Sequence, residues 1–181
     1  MGPSGWSFLG DPEERARFEE LVLPHLDAAH NLARWLVRRP EAEDLAQEAM
    51  LRALRFFSGF RGGSPRAWLM RIVRNTCYTW LERERGVENG PEFDEAFHAV
   101  AEVTPESLAL AGAERERLAR ALESLPARSR EVLVLRELEG CSYKEIAEIT
   151  DSPIGTVMSS LSRARQRLKE ALVTAARKES P

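Results

Sequence analysis

The sequence predicts an all-α chain of two small helical domains, and three observations carry that expectation. Apolar residues recur at spacings of three and four through most segments, which gathers them on one face of a helix at about 100° per residue. No alternating run of strand type has useful length, and no internal repeat is visible. Between these helical halves lies Gly86 to Ala113, which holds Gly90-Pro91 and Thr104-Pro105, has no basic residue, and reads as a flexible acidic linker.

The first half divides at its prolines and glycines. Met1 to Gly10 reads as a tail in which Trp6 and Phe8 have room to dock, and the N-terminal tail as a whole is taken as 1–17. Asp11-Pro12 is a helix start. Phe18, Leu21, Val22, Leu26, Ala29, Leu32, Ala33, Leu36 and Val37 keep helical spacing, while Pro24 breaks the segment into two helices. Arg38 and Arg39 mark an end, and Pro40 opens a third helix whose first turns hold Glu41, Glu43 and Asp44, where carboxylates complement the helix dipole. That helix runs to about Phe57 and is apolar over most of its circumference. Its remaining stripe of Asp44, Gln47, Glu48, Leu51, Arg52 and Arg55 fits either a solvated face or a protein partner.

Ser58 to Ser64, S-G-F-R-G-G-S, is a Gly-rich loop that lacks the GK[ST] ending of a phosphate-binding loop. Ser64-Pro65 then caps a fourth helix reaching about Arg85, with Leu69, Ile72, Val73, Thr76 and Trp80 as its apolar stripe. Trp80 is thus expected in the core. Arg71, Arg74, Tyr78 and Arg85 share the opposite face, with Trp68 and Asn75 at its edge, a mixture of rings and guanidiniums that suits a single nucleic-acid strand. The bland alternative makes Trp68 a core anchor and the arginines solubilising.

The linker has room for a helical turn near Phe93 to Phe97. A fifth helix is expected from about Pro105 through Leu108, Leu110, Leu118, Ala121 and Leu122, and a sixth from Pro126, with Val132, Leu133, Val134, Leu135 and Leu138, ending at Gly140. Domain boundaries follow at 18–85, 86–113 and 114–175, with 176–181 as a C-terminal tail.

Cys141 to Lys169 reads as a helix-turn-helix. Ser142 and Glu145 form a capping-box signature for a short helix to about Ile149. Thr150 to Ser152 makes the turn, Asp151 tolerating a left-handed conformation, and Ser152 before Pro153 supplies an N-cap for the next helix. Ile154, Val157, Leu161, Ala164 and Leu168 form its inward face. The other faces carry Thr156, Ser159, Arg163, Gln166 and Arg167, and Met158, Ser162, Arg165 and Lys169, groups suited to phosphates and base edges. The bland alternative for this stretch is an amphipathic helical hairpin with an ordinary solvated basic face.

The chain has 181 residues, 43% hydrophobic and 30% charged, ordinary values for a globular protein. No apolar run approaches 18 residues and the N-terminus has no leader pattern, so no membrane span is expected and the protein is placed in the cytoplasm. Cys77 and Cys141 lack metal or redox spacing and read as reduced thiols. The net charge of −3 conceals blocks. Met1 to Leu51 has 5 basic and 10 acidic residues, Arg52 to Arg85 has 8 and 2, Gly86 to Ala113 has none and 6, and Glu114 to Pro181 has 13 and 11. Two basic surfaces flanking an acidic connector suit a protein that touches DNA in two places.

Three motifs, E-A-E-D-L-A-Q-E-A-M-L-R-A-L-R (Glu41 to Arg55), P-R-A-W-L-M-R-I-V-R-N (Pro65 to Asn75), and the stretch from Leu125 to Arg165 beginning L-P-A-R-S-R-E-V-L, occur in one order and spacing. Together they resemble a bacterial RNA polymerase sigma factor of the sigma-70 family, in its compact extracytoplasmic-function group. The resemblance covers roughly Phe18 to Leu172. It implies an initiation factor that binds core polymerase, directs it to promoters and helps melt the minus-10 element.

By that resemblance Asp44, Gln47, Glu48, Leu51 and Arg55 grip the clamp coiled coil of the largest polymerase subunit, and the C-terminal domain meets the flap of the second-largest. Phe60, Arg61, Gly62, Gly63 and Ser64 match the loop that captures a flipped minus-10 base, and Trp68, Arg71, Arg74, Asn75 and Tyr78 match the helix facing the melted non-template strand. Extruding a base costs a few kcal/mol, which a shaped pocket and ring stacking offset. Thr156, Met158, Ser159, Ser162 and Arg163 match the helix that reads duplex minus-35 DNA, with Arg165 and Arg167 on phosphates. An anti-sigma factor is implied as a further partner; no catalytic residue, metal or cofactor is. Ser160 stands where the family often has Arg, and Asp151 where it often has Gly.

The alternative is a free-standing helix-turn-helix regulator on duplex operators, which leaves Arg71 to Tyr78 and the third helix's stripe without a role. A nucleic-acid enzyme is disfavoured, since His25, His30 and His98 have no ligand or triad spacing.

Overall fold

Residues 12–87 and 109–179 are described by the computed structural model. The chain before Pro12 and most of the acidic connector, including the turn expected near Phe93 to Phe97, lie outside the described residues. Among the described residues every regular element is helical. In order they are α1 (Pro12–Val22), α2 (Leu26–Val37), α3 (Glu41–Phe56), α4 (Pro65–Val87), α5 (Ala109–Glu123), α6 (Ala127–Leu133), α7 (Tyr143–Thr150) and α8 (Ile154–Glu179). Helix α1 starts at Pro12, as the Asp11-Pro12 signal predicts, α4 ends at Val87, two residues past the expected Arg85, α5 is described from Ala109, within the helix expected from about Pro105, and α8 continues to Glu179.

Pro24 acts as expected, its missing N–H giving a 3-10 turn at Leu23–His25 between α1 and α2. Helix α2 stops at Arg38, whose φ of 56° places it in the left-handed region while its N–H closes on Arg34 O at 3.0 Å. At the start of α4, Ser64 Oγ accepts from Ala67 N at 3.1 Å and caps the helix. Leu32, Leu36, Ala49, Ala53, Leu69 and Val73 bring α2, α3 and α4 together, and Phe18, Val22 and Phe57 close the bundle. Alanines at the contacts let the helix axes approach closely.

In the second half Leu122, Leu133, Leu135, Ile146, Ile149, Val157, Leu161 and Ala164 are buried among α5 to α8. Helix α6 does not run straight to Gly140. It widens into a π turn at Val134–Leu138, where Glu139 N reaches Val134 O at 2.9 Å, and Gly140 at φ 66° then ends it. Leu138, expected on the apolar face, is exposed there.

The two halves are not apart. Helix α7 packs along α4 and α6 against α2, and the buried apolar residues of both halves form one continuous cluster. Both cysteines are free and buried. Burial, then the charge of Glu131, lifts the Cys77 thiol to about 12, and burial lifts Cys141 to about 11, so both stay protonated at neutral pH.

Candidate nucleic-acid and polymerase interfaces

The helix-turn-helix is built as the spacing predicts. Ser142 Oγ accepts from Glu145 N at 3.1 Å, and Glu145 Oε2 accepts from Ser142 N at 2.9 Å. Both halves of the capping box are present. Asp151 takes the turn at φ 53°. One detail differs: Ser152 Oγ donates to Thr150 O at 3.2 Å, turning back into the turn instead of capping α8. Val157, Leu161 and Ala164 face inward, whereas Ile154 is exposed, because it precedes by one turn the first residue of α8 that is buried.

Thr156, Met158, Ser159, Ser162 and Arg163 lie exposed on α8, so the expected reading face is open to solvent. Ser160, the departure from the family pattern, is half-buried between that face and the core. Arg165 pairs with Glu137 at 2.7 Å and Arg167 donates to Ser129 Oγ at 2.8 Å, so each begins with an intramolecular partner. The exposed Arg165–Glu137 pair is worth about 0–1 kcal/mol and yields readily to a phosphate.

On the other half, Asp44, Gln47, Glu48, Leu51 and Arg55 all lie exposed along α3. Leu51 is 61% exposed and Leu26 of α2 44%, and with His30, Met50 and Leu54 they line an open apolar groove between α2 and α3. Leu26 was expected among the inward residues; it instead extends the groove. Only the three-dimensional pairing of α2 with α3 brings it beside Leu51.

The Gly-rich loop keeps Arg61, Gly62 and Gly63 exposed, with both glycines at positive φ, 99° and 95°. Phe60 is buried. Its ring stacks on Phe57 at 5.9 Å and meets Trp68 at 5.3 Å, so Phe60 and Trp68 shape the loop from beneath. Trp80 is half-buried: it packs against the edge of the core instead of lying within it, with the Arg39 guanidinium 5.8 Å from its ring centre.

The face of α4 expected to meet a single strand is divided. Arg71 and Asn75 are exposed, but Arg74 and Tyr78 are engaged by the second half. Arg74 Nε lies 2.6 Å from Glu131 Oε1, and Tyr78 Oη donates to Glu131 Oε2 at 3.2 Å. Glu131 received no role from the sequence, since its helical position looks like that of any acidic residue beside Arg128 and Arg130. Among the described residues no cluster of His, Cys, Asp or Glu could hold a metal, and no helix is long and apolar enough to cross a membrane.

Two helical units, one ending in a helix-turn-helix and the other carrying a basic, aromatic-lined helix beside an acidic and apolar groove, define a modular DNA-binding protein. The comparisons agree. The model of sigma-70 region 2 matches residues 21–87 and that of sigma-70 region 4 matches 115–168. The chain is 35% identical over 164 residues to the ECF RNA polymerase sigma-E factor of Escherichia coli, covering 86% of each protein. It is 35% identical over 173 residues to the RNA polymerase sigma-H factor of Pseudomonas aeruginosa, covering 88% of each. Among solved structures, it resembles the sigma factor RpoE in complex with the anti-sigma factor NepR from Bartonella quintana, with TM-score 0.71 and 33% identity over 86% of this chain and 96% of that one. It also resembles CnrH in complex with the cytosolic domain of CnrY, at TM-score 0.63 and 26% identity over 93% of each. The chain belongs to the sigma-70 family, in its ECF group, and is a transcription initiation factor.

Proposed function

We propose that this protein binds core RNA polymerase through α3 and the adjoining groove, directs it to promoters read at two elements, and helps melt the upstream edge of the bubble. The observation that carries this reading is the exposed row Thr156, Met158, Ser159, Ser162 and Arg163, presented by a capped helix-turn-helix in the same chain as the exposed stripe Asp44, Gln47, Glu48, Leu51 and Arg55. A regulator acting alone has no use for that second surface.

Residues 18–85 form the polymerase-binding and minus-10 domain, 86–113 the connector, and 114–175 the minus-35 domain. Arg61, Gly62, Gly63 and Ser64 form the rim of a base pocket floored by Phe60 and Trp68. Arg71, Arg74, Asn75 and Tyr78 follow the displaced strand. Arg163 reads a base edge, while Arg165 and Arg167 exchange their internal partners for phosphates. The clamp coiled coil of the largest polymerase subunit fits the α2–α3 groove, and the flap of the second-largest subunit meets the C-terminal domain. The chain performs no chemistry of its own, works in the cytoplasm, and is held by an anti-sigma factor, as RpoE and CnrH are found with NepR and CnrY.

Permanganate footprinting of reconstituted holoenzyme tests the reading. Thymines of the minus-10 region should become reactive with the chain present and unreactive with core enzyme alone. Equal reactivity in both overturns it.

A further inference from the structure

The leading end of a recognition helix is the part that stands against base edges, and in α8 that end has neither charge nor amide. Ile154 to Leu161 reads I-G-T-V-M-S-S-L, and the first cation of the helix is Arg163. The pairings that read guanine through a guanidinium or ammonium, and adenine through a side-chain amide, are therefore missing from the first two turns. Two large apolar side chains stand there instead. Ile154 is 48% exposed and Met158 53%, while Val157 and Leu161 of the same turns pack inward. Four residues apart, Ile154 and Met158 share one face with their Cβ atoms about 5–6 Å from each other. A long helical side chain leans back toward the helix start, which lays Met158 over the turn that holds Ile154. Nothing lies within 4 Å of where a Cβ on Gly155 would stand, so the surface next to Ile154 is clear.

We propose that Ile154 and Met158 form an apolar clamp for thymine: they pack on C5-methyl groups of A·T pairs in the minus-35 element and so set which bases the leading end of α8 accepts. The inference rests on the assignment of α8 to that element. The thymine methyl is the apolar group that a base pair presents in the major groove, and covering it removes apolar surface of both partners from water. Ser159 supplies the complementary polar chemistry. Its Oγ donates to Thr156 O at 3.0 Å, which commits the hydroxyl proton to the helix and leaves an acceptor. An adenine amino group can fill that acceptor, whereas guanine offers only acceptors in the major groove. Cytosine also donates an amino group but carries no methyl, so the apolar pair decides between the two.

The test uses holoenzyme, formed from the full chain and core polymerase, on duplex promoter fragments located by run-off transcription. Each thymine of the minus-35 element, on either strand, is replaced in turn by deoxyuridine, which lacks only the C5-methyl. At one or two positions this should weaken binding about threefold or more, the scale of one buried methyl group. Ile154→Ala combined with Met158→Ala should weaken binding to the thymine fragment and abolish the difference between thymine and uracil. Both side chains are exposed, so the double variant should melt with the wild type. Equal binding of thymine and uracil fragments by wild type at every position, or an undiminished uracil penalty in the double variant, overturns the inference. A minus-35 element with no A·T pair overturns it as well. A scrambled element separates this from the underlying assignment: if scrambling leaves binding unchanged, α8 does not read that element and both fall, whereas weaker binding to scrambled DNA without a uracil effect removes the thymine clamp alone.

Discussion

Ser64 and Glu145, 81 residues apart in sequence, join two helix starts: the hydroxyl that caps α4 donates at 3.0 Å to the carboxylate that closes the capping box of α7. One carboxylate thus serves the first turn of the helix-turn-helix and the end of the Gly-rich loop. The N–H of Ser142, followed by the hydroxyls of Ser64 and Ser142, holds the Glu145 carboxyl below its usual range against the opposing effect of burial.

The sign of the resulting pH dependence follows. A carboxyl whose folded value is depressed contributes stability that is fully present above its unfolded value, near 4.3, and is lost as pH falls through the folded value. Glu145→Gln should therefore flatten the acid side of the stability curve below about pH 4.3. Thermal melts of wild type and variant between neutral and acid pH check this. Parallel curves would remove Glu145 from the acid transition.

Ser142→Ala removes the hydroxyl that accepts from Glu145 N and should cost about 1 kcal/mol, the usual scale for an N-cap. Urea unfolding measures it. The loss should appear in the midpoint with an unchanged slope, since the surface exposed on unfolding stays the same.

Leu51→Asp places a charge in the apolar groove beside Leu26 and should weaken core polymerase binding by about tenfold or more, as loss of a buried interface anchor does. Asp44→Ala with Gln47→Ala should act in the same direction. Leu51 is exposed in the free chain, so its thermal stability should stay within about 0.5 kcal/mol of wild type. Fluorescence anisotropy with labelled protein gives the affinity.

Arg163→Ala should lose about 1 to 3 kcal/mol of discrimination between the preferred minus-35 sequence and single-base variants, the scale of one good base contact. Arg165→Ala and Arg167→Ala should instead weaken binding similarly on all sequences and reduce the salt dependence, as loss of phosphate contacts does. Competition binding across a set of minus-35 variants at two salt concentrations separates these behaviours.

Local chemistry was legible and tertiary pairing was not. Pro24, Ser64, Ser142, Glu145, Asp151 and Gly140 act within a few residues of themselves, and each sets the turn or cap that its type implies. The stripe on α3 and the outer row on α8 were legible because helical spacing alone places them on a face opposite the alanines and leucines that pack. Leu26, Leu138 and Ile154 went astray for one reason: a period gives a face, but whether a neighbour covers that face depends on where the other helices end. The π turn displaces Leu138, and α8 begins one turn before its buried residues. Glu131 had no local signal, because its partners lie 57 and 53 residues away across the connector.

The most direct measurement of the central claim is run-off transcription by core RNA polymerase on fragmented genomic DNA with and without this chain, followed by sequencing of the transcripts' 5′ ends. The account predicts a discrete set of start sites that appear only with the chain, share a minus-10 and a minus-35 element, and are lost with Asp44→Ala and Gln47→Ala combined. Start sites identical to those of core enzyme alone would contradict it.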